Sequence, residues 1–312
     1  MESAFLFPGQ GSQVPNMLHT LPDHPAVSRT LDEVSDALGE DVRELDTAEN
    51  LQHTHSVQLA LLAAGIAAAR ALLEEGVVPQ AVAGLSVGAF AAATIAGVIG
   101  LRDTVALVKQ RAELMTELFP YGYGLVALTG LFEEEVSRLV KATHAEHAPV
   151  YVANINGPRQ IVIAGSDEGI DRLMDTAQGS GLRKAQRLPI ATLSHCVLLE
   201  PVAISLRRAL DRMQLHDANI AYIANVNARR LRNAKAITDD LASNIAHGVR
   251  WYDMTSLAVE LGCDLFIEMP PGNVLTELGK EAFPSITNIA LSQVSLRDVR
   301  FQQDRLEKNS NR

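Results

Sequence analysis

The chain has 312 residues, 47% of them hydrophobic and 21% charged, with a formal net charge of −10. That is enough apolar material for a large core, either as one α/β domain or as one carrying an inserted lobe. The acidic balance excludes general nucleic-acid binding, which needs a dominant cationic surface. Two cysteines, Cys196 and Cys263, make neither a disulfide framework nor a metal-ligand set, and a reducing cytoplasm is expected.

In chain order, Ala4–Phe7 is predicted as a short strand that stops at Pro8-Gly9; no basic residue precedes it, so it reads as a strand and not as a signal peptide. Gln58–Glu75 is rich in Ala and Leu and predicts a helix ended by Gly76. Val82–Gly84 is a buried strand leading into Ser86, and Ala89–Ile95 continues as a helix. The apolar stretch 77–101 is interrupted by Pro79, Ser86 and several glycines, which argues for a strand–turn–helix unit and against a membrane span. Strands alternating with helices imply a mostly parallel sheet covered on both faces.

The middle of the chain changes rhythm. Leu125–Leu128 (strand), Phe132–Ala142 (helix), Val150–Ile155 and Gln160–Ala164 (strands), Asp167–Gln178 (helix) and Leu182–Leu188 (strand) give the order β-α-β-β-α-β of a ferredoxin-like module. The expected fold class is therefore α/β: a large, mostly parallel-sheet, α/β-hydrolase-like domain formed by 1–123 and 191–312, with an inserted ferredoxin-like lobe at 124–190. The tail after Asp298 is polar and is expected to fray.

Gly84-Leu85-Ser86-Val87-Gly88 matches the G-x-S-x-G nucleophile elbow, in the strand-to-helix context that motif requires. A sharp turn there exposes the serine and demands small residues two positions to either side. It also offers the Val87 N–H and a helix N-terminus to an oxyanion. The alternative is a tight packing turn. Phe7-Pro-Gly-Gln-Gly-Ser-Gln13 lacks the spacing of a phosphate loop, and could instead bring the Gln10 N–H beside the elbow as a second oxyanion donor.

A serine hydroxyl needs a base. Of nine histidines, His195 lies where the chain returns from the inserted lobe, at a cleft between lobes, and is preferred; His247 is the reserve. The group that fixes the base's tautomer is assigned to Asn244, acting through a carbonyl oxygen, because no acidic residue occupies a motif position. Cys196, adjacent to the base, reads as a small buried packing residue.

Eight segments in order carry a resemblance to the malonyl-CoA:acyl carrier protein transacylase family over nearly the whole chain. They are 7–13, Gln58 in Val-Gln-Leu-Ala-Leu-Leu, Gly84-x-Ser86-x-Gly88, Gln110-Arg111, 154–165, Ser194-His195, Val249-Arg250-Trp251, and Glu268-Met-Pro-Pro-Gly-Asn-Val-Leu275. The resemblance implies ping-pong transfer through a malonyl-Ser86 ester, with malonyl-CoA as donor and an acyl carrier protein as acceptor. It implies that Arg111 binds the free malonyl carboxylate as a planar fork, with Gln58 and Asn156 also on the substrate side, and it implies no cofactor or metal.

The chain departs from the family at Leu85, where His is usual, at Ala89, where an acid is usual, and at Asn244, where Gln is usual. Gly-Leu-Ser-Val-Gly-Ala-Phe resembles the transacylase (epsilon) subunit of malonate decarboxylase, which loads a carrier subunit bearing a dephospho-CoA-derived thiol. The expected function is that loading reaction, with other malonate decarboxylase subunits as further candidate partners. The alternatives are the transacylase of fatty-acid or polyketide synthesis, a serine thioesterase, and a non-catalytic scaffold. A basic run, Arg229-Arg230-x-Arg232-x-x-Lys235, is a candidate docking patch for an acidic carrier.

Overall fold

The computed structural model describes residues 2–190 and 192–310. Ten strands, β1 (Glu2–Phe7), β2 (Ala81–Gly84), β3 (Tyr123–Thr129), β4 (Val150–Gly157), β5 (Gln160–Ser166), β6 (Lys184–Arg187), β7 (Ala221–Ile223), β8 (Arg230–Leu231), β9 (Cys263–Glu268) and β10 (Thr287–Ala290), form two sheets. The larger has the order β10-β9-β1-β2-β7-β8 and is parallel except for β8. The smaller has the order β4-β5-β3-β6 and is antiparallel throughout.

The period-2 alternation of β1 shows why the large sheet is buried. Phe5 and Phe7 enter the core shared with the Thr54–Glu74 helix, while Ala4 and Leu6 enter a second core with Trp251 and Phe266. Thr54–Glu74 is apolar on every side. It has the length and hydropathy of a membrane span, but it is packed inside the protein as the central helix of the larger core. Gly76, at φ +83, follows its last turn, as the sequence predicts.

The small sheet spans 123–187, close to the expected insert. Val126, Leu128, Ile161 and Ile163 pack under the helices Glu133–Thr143 and Asp167–Thr176, whereas Leu125, Val162 and Ala164 join the main core. One face of the insert thus completes the interior of the larger unit. Its edge strand β4 also reaches across: the Ile155 N–H donates to the Val249 carbonyl at 2.8 Å, and the Val249 N–H donates to the Ala153 carbonyl at 2.8 Å.

The polar tail is a correction. Leu296–Ser310 is a helix, not a frayed end, and Val299 is fully buried. Its start is a capping box: the Ser295 N–H donates to Asp298 Oδ2 at 3.0 Å and the Asp298 N–H donates to Ser295 Oγ at 3.2 Å.

Candidate active site

The site forms past the carboxyl ends of β1, β2 and β7, which are neighbours in the parallel sheet. β2 ends at Gly84, and the chain turns sharply at Ser86 into the Gly88–Ile95 helix. A Cβ on Gly84 would lie 2.0 Å from the Gly88 carbonyl carbon, and one on Gly88 would lie 2.2 Å from the Phe7 carbonyl oxygen. Only glycine permits this crossing of strand, loop and helix. Ser86 is left in the left-handed region at φ +57, a conformation that costs an L-residue about 1–2 kcal/mol.

The Gly-rich loop after β1 lies against the elbow. The Leu85 N–H donates to the Phe7 carbonyl at 2.9 Å, and a Cβ on Gly9 would meet the Leu85 carbonyl oxygen at 2.7 Å. Among the described residues, neither the Gln10 N–H nor the Val87 N–H donates a hydrogen bond, so both donors proposed from the sequence are free beside the turn.

His195 and Ser86 meet: the Ser86 hydroxyl lies 2.8 Å from His195 Nε2. The ring's other nitrogen, Nδ1, lies 2.8 Å from the Asn244 carbonyl and 3.3 Å from the His247 carbonyl. Both of these acceptors are main-chain groups, so Nδ1 carries the proton and Nε2 presents its lone pair to the serine. The Asn244 side-chain amide takes no part; it is buried with neither of its polar atoms hydrogen-bonded. The His247 ring is exposed and faces the Ser243 carbonyl at 2.9 Å, which leaves His195 as the base the geometry supports. Burial first, and the Arg111 charge second, lower the His195 pKa to about 4, against the upward pull of its two carbonyl partners. At neutral pH the ring is an uncharged acceptor.

Arg111 projects from the Leu101–Leu118 helix, and Gln58 from the Thr54–Glu74 helix packed beside it. The guanidinium donates to Gln58 Oε1 at 2.7 Å and to Ser86 Oγ at 3.0 Å. Gln58 in turn donates to Gln10 Oε1 at 2.8 Å. Arg111 is 0% exposed, its Nε has no partner, and it makes no ion pair among the described residues. Burial lowers its pKa to about 9, so it stays cationic at neutral pH. A buried charge without a counter-ion costs several kcal/mol, and an anion arriving beside it would relieve that cost.

Asn156 stands apart. No hydrogen bond joins it to the Ser86 cluster among the described residues, and its buried Oδ1 has no partner. Cys196 is buried with its thiol pushed up to about 11 by desolvation, which suits packing and not catalysis. A concavity of about 830 Å³ lined by Val14, Met17, Pro270, Pro271 and Val294 includes none of the Ser86 cluster. Among the described residues, no group of three His, Cys, Asp or Glu side chains is placed to hold a metal ion.

Sequence reasoning misses one member of the cluster. Asn225, two residues beyond β7, accepts the Ser86 N–H through Oδ1 at 3.0 Å. The available signal is its position: a polar residue just past the carboxyl end of a buried parallel strand next to the nucleophile's own.

Residues 4–305 match the acyl transferase domain family. The chain is 35% identical over 298 residues to the malonyl CoA-acyl carrier protein transacylase of Escherichia coli strain K12, covering 94% of this chain and 96% of that one. It is 33% identical over 304 residues to the transacylase of the same name from Bacillus subtilis strain 168, with 96% of each covered. Among solved structures, an acyl-carrier-protein S-malonyltransferase from Burkholderia pseudomallei 1710b superposes with a TM-score of 0.91 at 33% identity, covering 97% of this chain and 100% of that one. A malonyl-transacylase in complex with its type II polyketide synthase acyl-carrier protein gives 0.90 at 34% identity, with 95% and 97% covered. A serine in a glycine-bounded elbow, a neutral histidine and a buried arginine thus lie in a chain that belongs to the acyl transferase domain family, among the malonyl-CoA:acyl carrier protein transacylases.

Proposed function

We propose that the protein transfers malonyl from malonyl-CoA to the prosthetic-group thiol of an acyl carrier protein, through an ester on Ser86. The observation that carries this reading is Arg111, a fully buried guanidinium with no acidic partner among the described residues, 3.0 Å from the Ser86 hydroxyl. A substrate that brings its own carboxylate fits there; a plain acyl group leaves the charge unpaired.

Ser86 gives its proton to His195 Nε2 as Oγ attacks the thioester carbonyl. The Val87 and Gln10 N–H groups receive the developing oxyanion. The tetrahedral adduct collapses, the C–S bond breaks, and the CoA thiolate takes the proton held by His195. In the second half His195 takes the proton of the carrier thiol, whose sulfur attacks the malonyl ester. The bond between the acyl carbon and Ser86 Oγ breaks, and Oγ takes the proton back from His195.

The carrier of fatty-acid or polyketide synthesis is the acceptor that the relatives favour, since those compared are named for acyl carrier protein transfer or were solved with a polyketide carrier. Service to malonate decarboxylase, the narrower expectation from the sequence, rests on the Gly84-Leu-Ser-Val-Gly-Ala-Phe90 segment and is the second reading. The strand order β4-β5-β3-β6 supports a ferredoxin-like description of the insert, and the strand–elbow–helix unit supports a hydrolase-like description of the larger sheet. For carrier docking, Arg232 is engaged with the Ala218 and Asn219 carbonyls and Lys235 with Asp239, which narrows the basic run to the exposed Arg229 and Arg230.

The test is to incubate the protein with malonyl-CoA and map the adduct. One malonyl group on the Ser86 peptide is expected, discharged by an acyl carrier protein much faster than by water. A label elsewhere, with Ser86→Ala still active, removes the serine-ester reading. Preferential discharge to a thiol derived from dephospho-CoA selects the malonate decarboxylase branch, and rapid discharge to water selects a thioesterase.

A further inference from the structure

The Ser86 turn is strained, and the sequence immediately around it supplies only permission for the turn, in the form of Gly84 and Gly88. What holds the serine there comes from a distant part of the chain. The Ser86 N–H donates to Asn225 Oδ1 at 3.0 Å, and Asn225 is itself 0% exposed.

Asn225 is fixed at three points. Its own N–H donates to Asp240 Oδ2 at 3.0 Å, the next N–H, from Val226, donates to Asp240 Oδ1 at 3.0 Å, and its carbonyl accepts the Arg250 N–H at 2.9 Å. The Tyr222 hydroxyl donates to the same Asp240 Oδ2 at 2.7 Å. Asp240 is therefore a buried carboxylate with three donors and, among the described residues, no cation, placed where it clamps the loop after β7. Its helix, Ala234–Ser243, runs directly into the turn whose Asn244 carbonyl holds His195.

We infer that Asn225, held by Asp240 and Tyr222, is a positioning residue that fixes the main chain of Ser86 in its left-handed turn and keeps Oγ on His195. This inference rests on the reading of Ser86 as nucleophile. It has a corollary for the oxyanion hole: the Ser86 N–H is already committed to Asn225, so it is not one of the donors. Stretch 240–250 also sets both partners of the proton transfer, Ser86 by way of Asn225 and His195 by way of main-chain carbonyls.

The test uses Asn225→Leu, which keeps the branched shape and removes the acceptor, Asn225→Ala, which removes it without crowding, and Asn225→Asp, whose carbonyl oxygen survives in either protonation state. The first readout is modification of Ser86 by a fluorophosphonate, in which the Oγ–P bond forms, fluoride leaves and His195 takes the serine proton. This reaction requires no malonyl group, so an unreactive wild-type Ser86 would sink the nucleophile reading itself, separately from the role of Asn225. With wild type reactive, the Leu and Ala variants are expected to react more slowly, on the order of 10- to 100-fold, for the loss of one buried acceptor. In malonyl transfer kcat should fall by a similar factor with KM nearly unchanged, while Asn225→Asp stays near wild type. Wild-type rates in whichever of the Leu and Ala variants folds overturn the inference. So does an equal loss in all three, which would make Asn225 a packing residue and not an acceptor.

Discussion

Ser86 stands on a turn permitted by five consecutive residues, where Gly84 leaves room for the Gly88 peptide and Gly88 leaves room for the Phe7 and Pro8 carbonyls. His195, 2.8 Å away, stands on an irregular segment returning from the small sheet, and its ring is held by main-chain carbonyls 49 and 52 residues further along the chain. Both residues share one backbone oddity, a positive φ of 57° and 59°. One half of the pair thus rests on a local motif, tied down at one point by Asn225, and the other is a product of tertiary assembly throughout. The difference teaches where substitutions should hurt: side chains matter on the serine's half, and on the histidine's half the backbone path matters more than the identity of the residue that supplies it.

The largest effect expected is from His195→Ala, a fall in Ser86 acylation on the order of 10³-fold, within the usual range for loss of a general base. The pH profile sharpens this. The base works unprotonated, and burial and Arg111 hold its pKa at about 4. The acylation rate should therefore stay level as pH falls from 7 and drop only on approaching 4. An exposed histidine would lose activity near its ordinary value of about 6.5. In Arg111→Ala the acid limb should move upward but not fully, because desolvation is the larger cause and remains. A limb near 6.5 in the wild type would break the assignment of a buried neutral base.

Next in size is the reading of the acyl group. Arg111→Ala should lower malonyl transfer on the order of 10²-fold, since each charge-assisted bond contributes roughly 1.5–3 kcal/mol. Acetyl transfer should stay level or rise. Arg111→Lys should recover part of the loss, because one ammonium cannot reproduce the fork. Parallel losses for malonyl and acetyl donors, measured side by side, would show that Arg111 supports the pocket without reading the substrate.

The smallest effect is the sharpest test of the contrast. Asn244→Ala removes a buried amide that bonds to nothing and leaves the carbonyl that holds His195. Its kcat should remain within about threefold of wild type, the size expected when no hydrogen bond is lost. A fall comparable to His195→Ala would mean that the side chain orients the base after all.

These two halves also mark what the sequence makes legible. The elbow and the β-α-β-β-α-β order can be read because both are local patterns of spacing and periodicity. Arg111 and Gln58 become legible only through family resemblance; on composition alone, each is a polar residue on a helix. Asn244 and a carbonyl oxygen can be named from the sequence, but not that the carbonyl is the main-chain one, because a main-chain carbonyl leaves no signature in the side chain that carries it. Asn225 leaves only its position as a signal for a related reason, since its partner is the N–H of Ser86, a group every residue but proline possesses. The helix at Leu296–Ser310 escapes the sequence reading although Ser295-Leu-Arg-Asp298 spells a capping box, because the polarity of the residues beyond Asp298 outweighs that signal.

The bridge between β4 and Val249 places a mechanical link at a sensitive point. Its two hydrogen bonds attach the edge of the small sheet to the chain two residues beyond His247, whose carbonyl helps hold the base. Arg250 reinforces the link through Glu133 on the insert's first helix and Asp253 on its own. A tilt of the insert, such as a bulky acyl-carrier complex could impose on docking, would be transmitted along this tether as a tug on the imidazole. The amide proton of Val249 then becomes a reporter: it should exchange with solvent deuterium as slowly as the interior of the sheet, and any carrier that rocks the insert should speed its exchange before a change registers anywhere else in the larger unit.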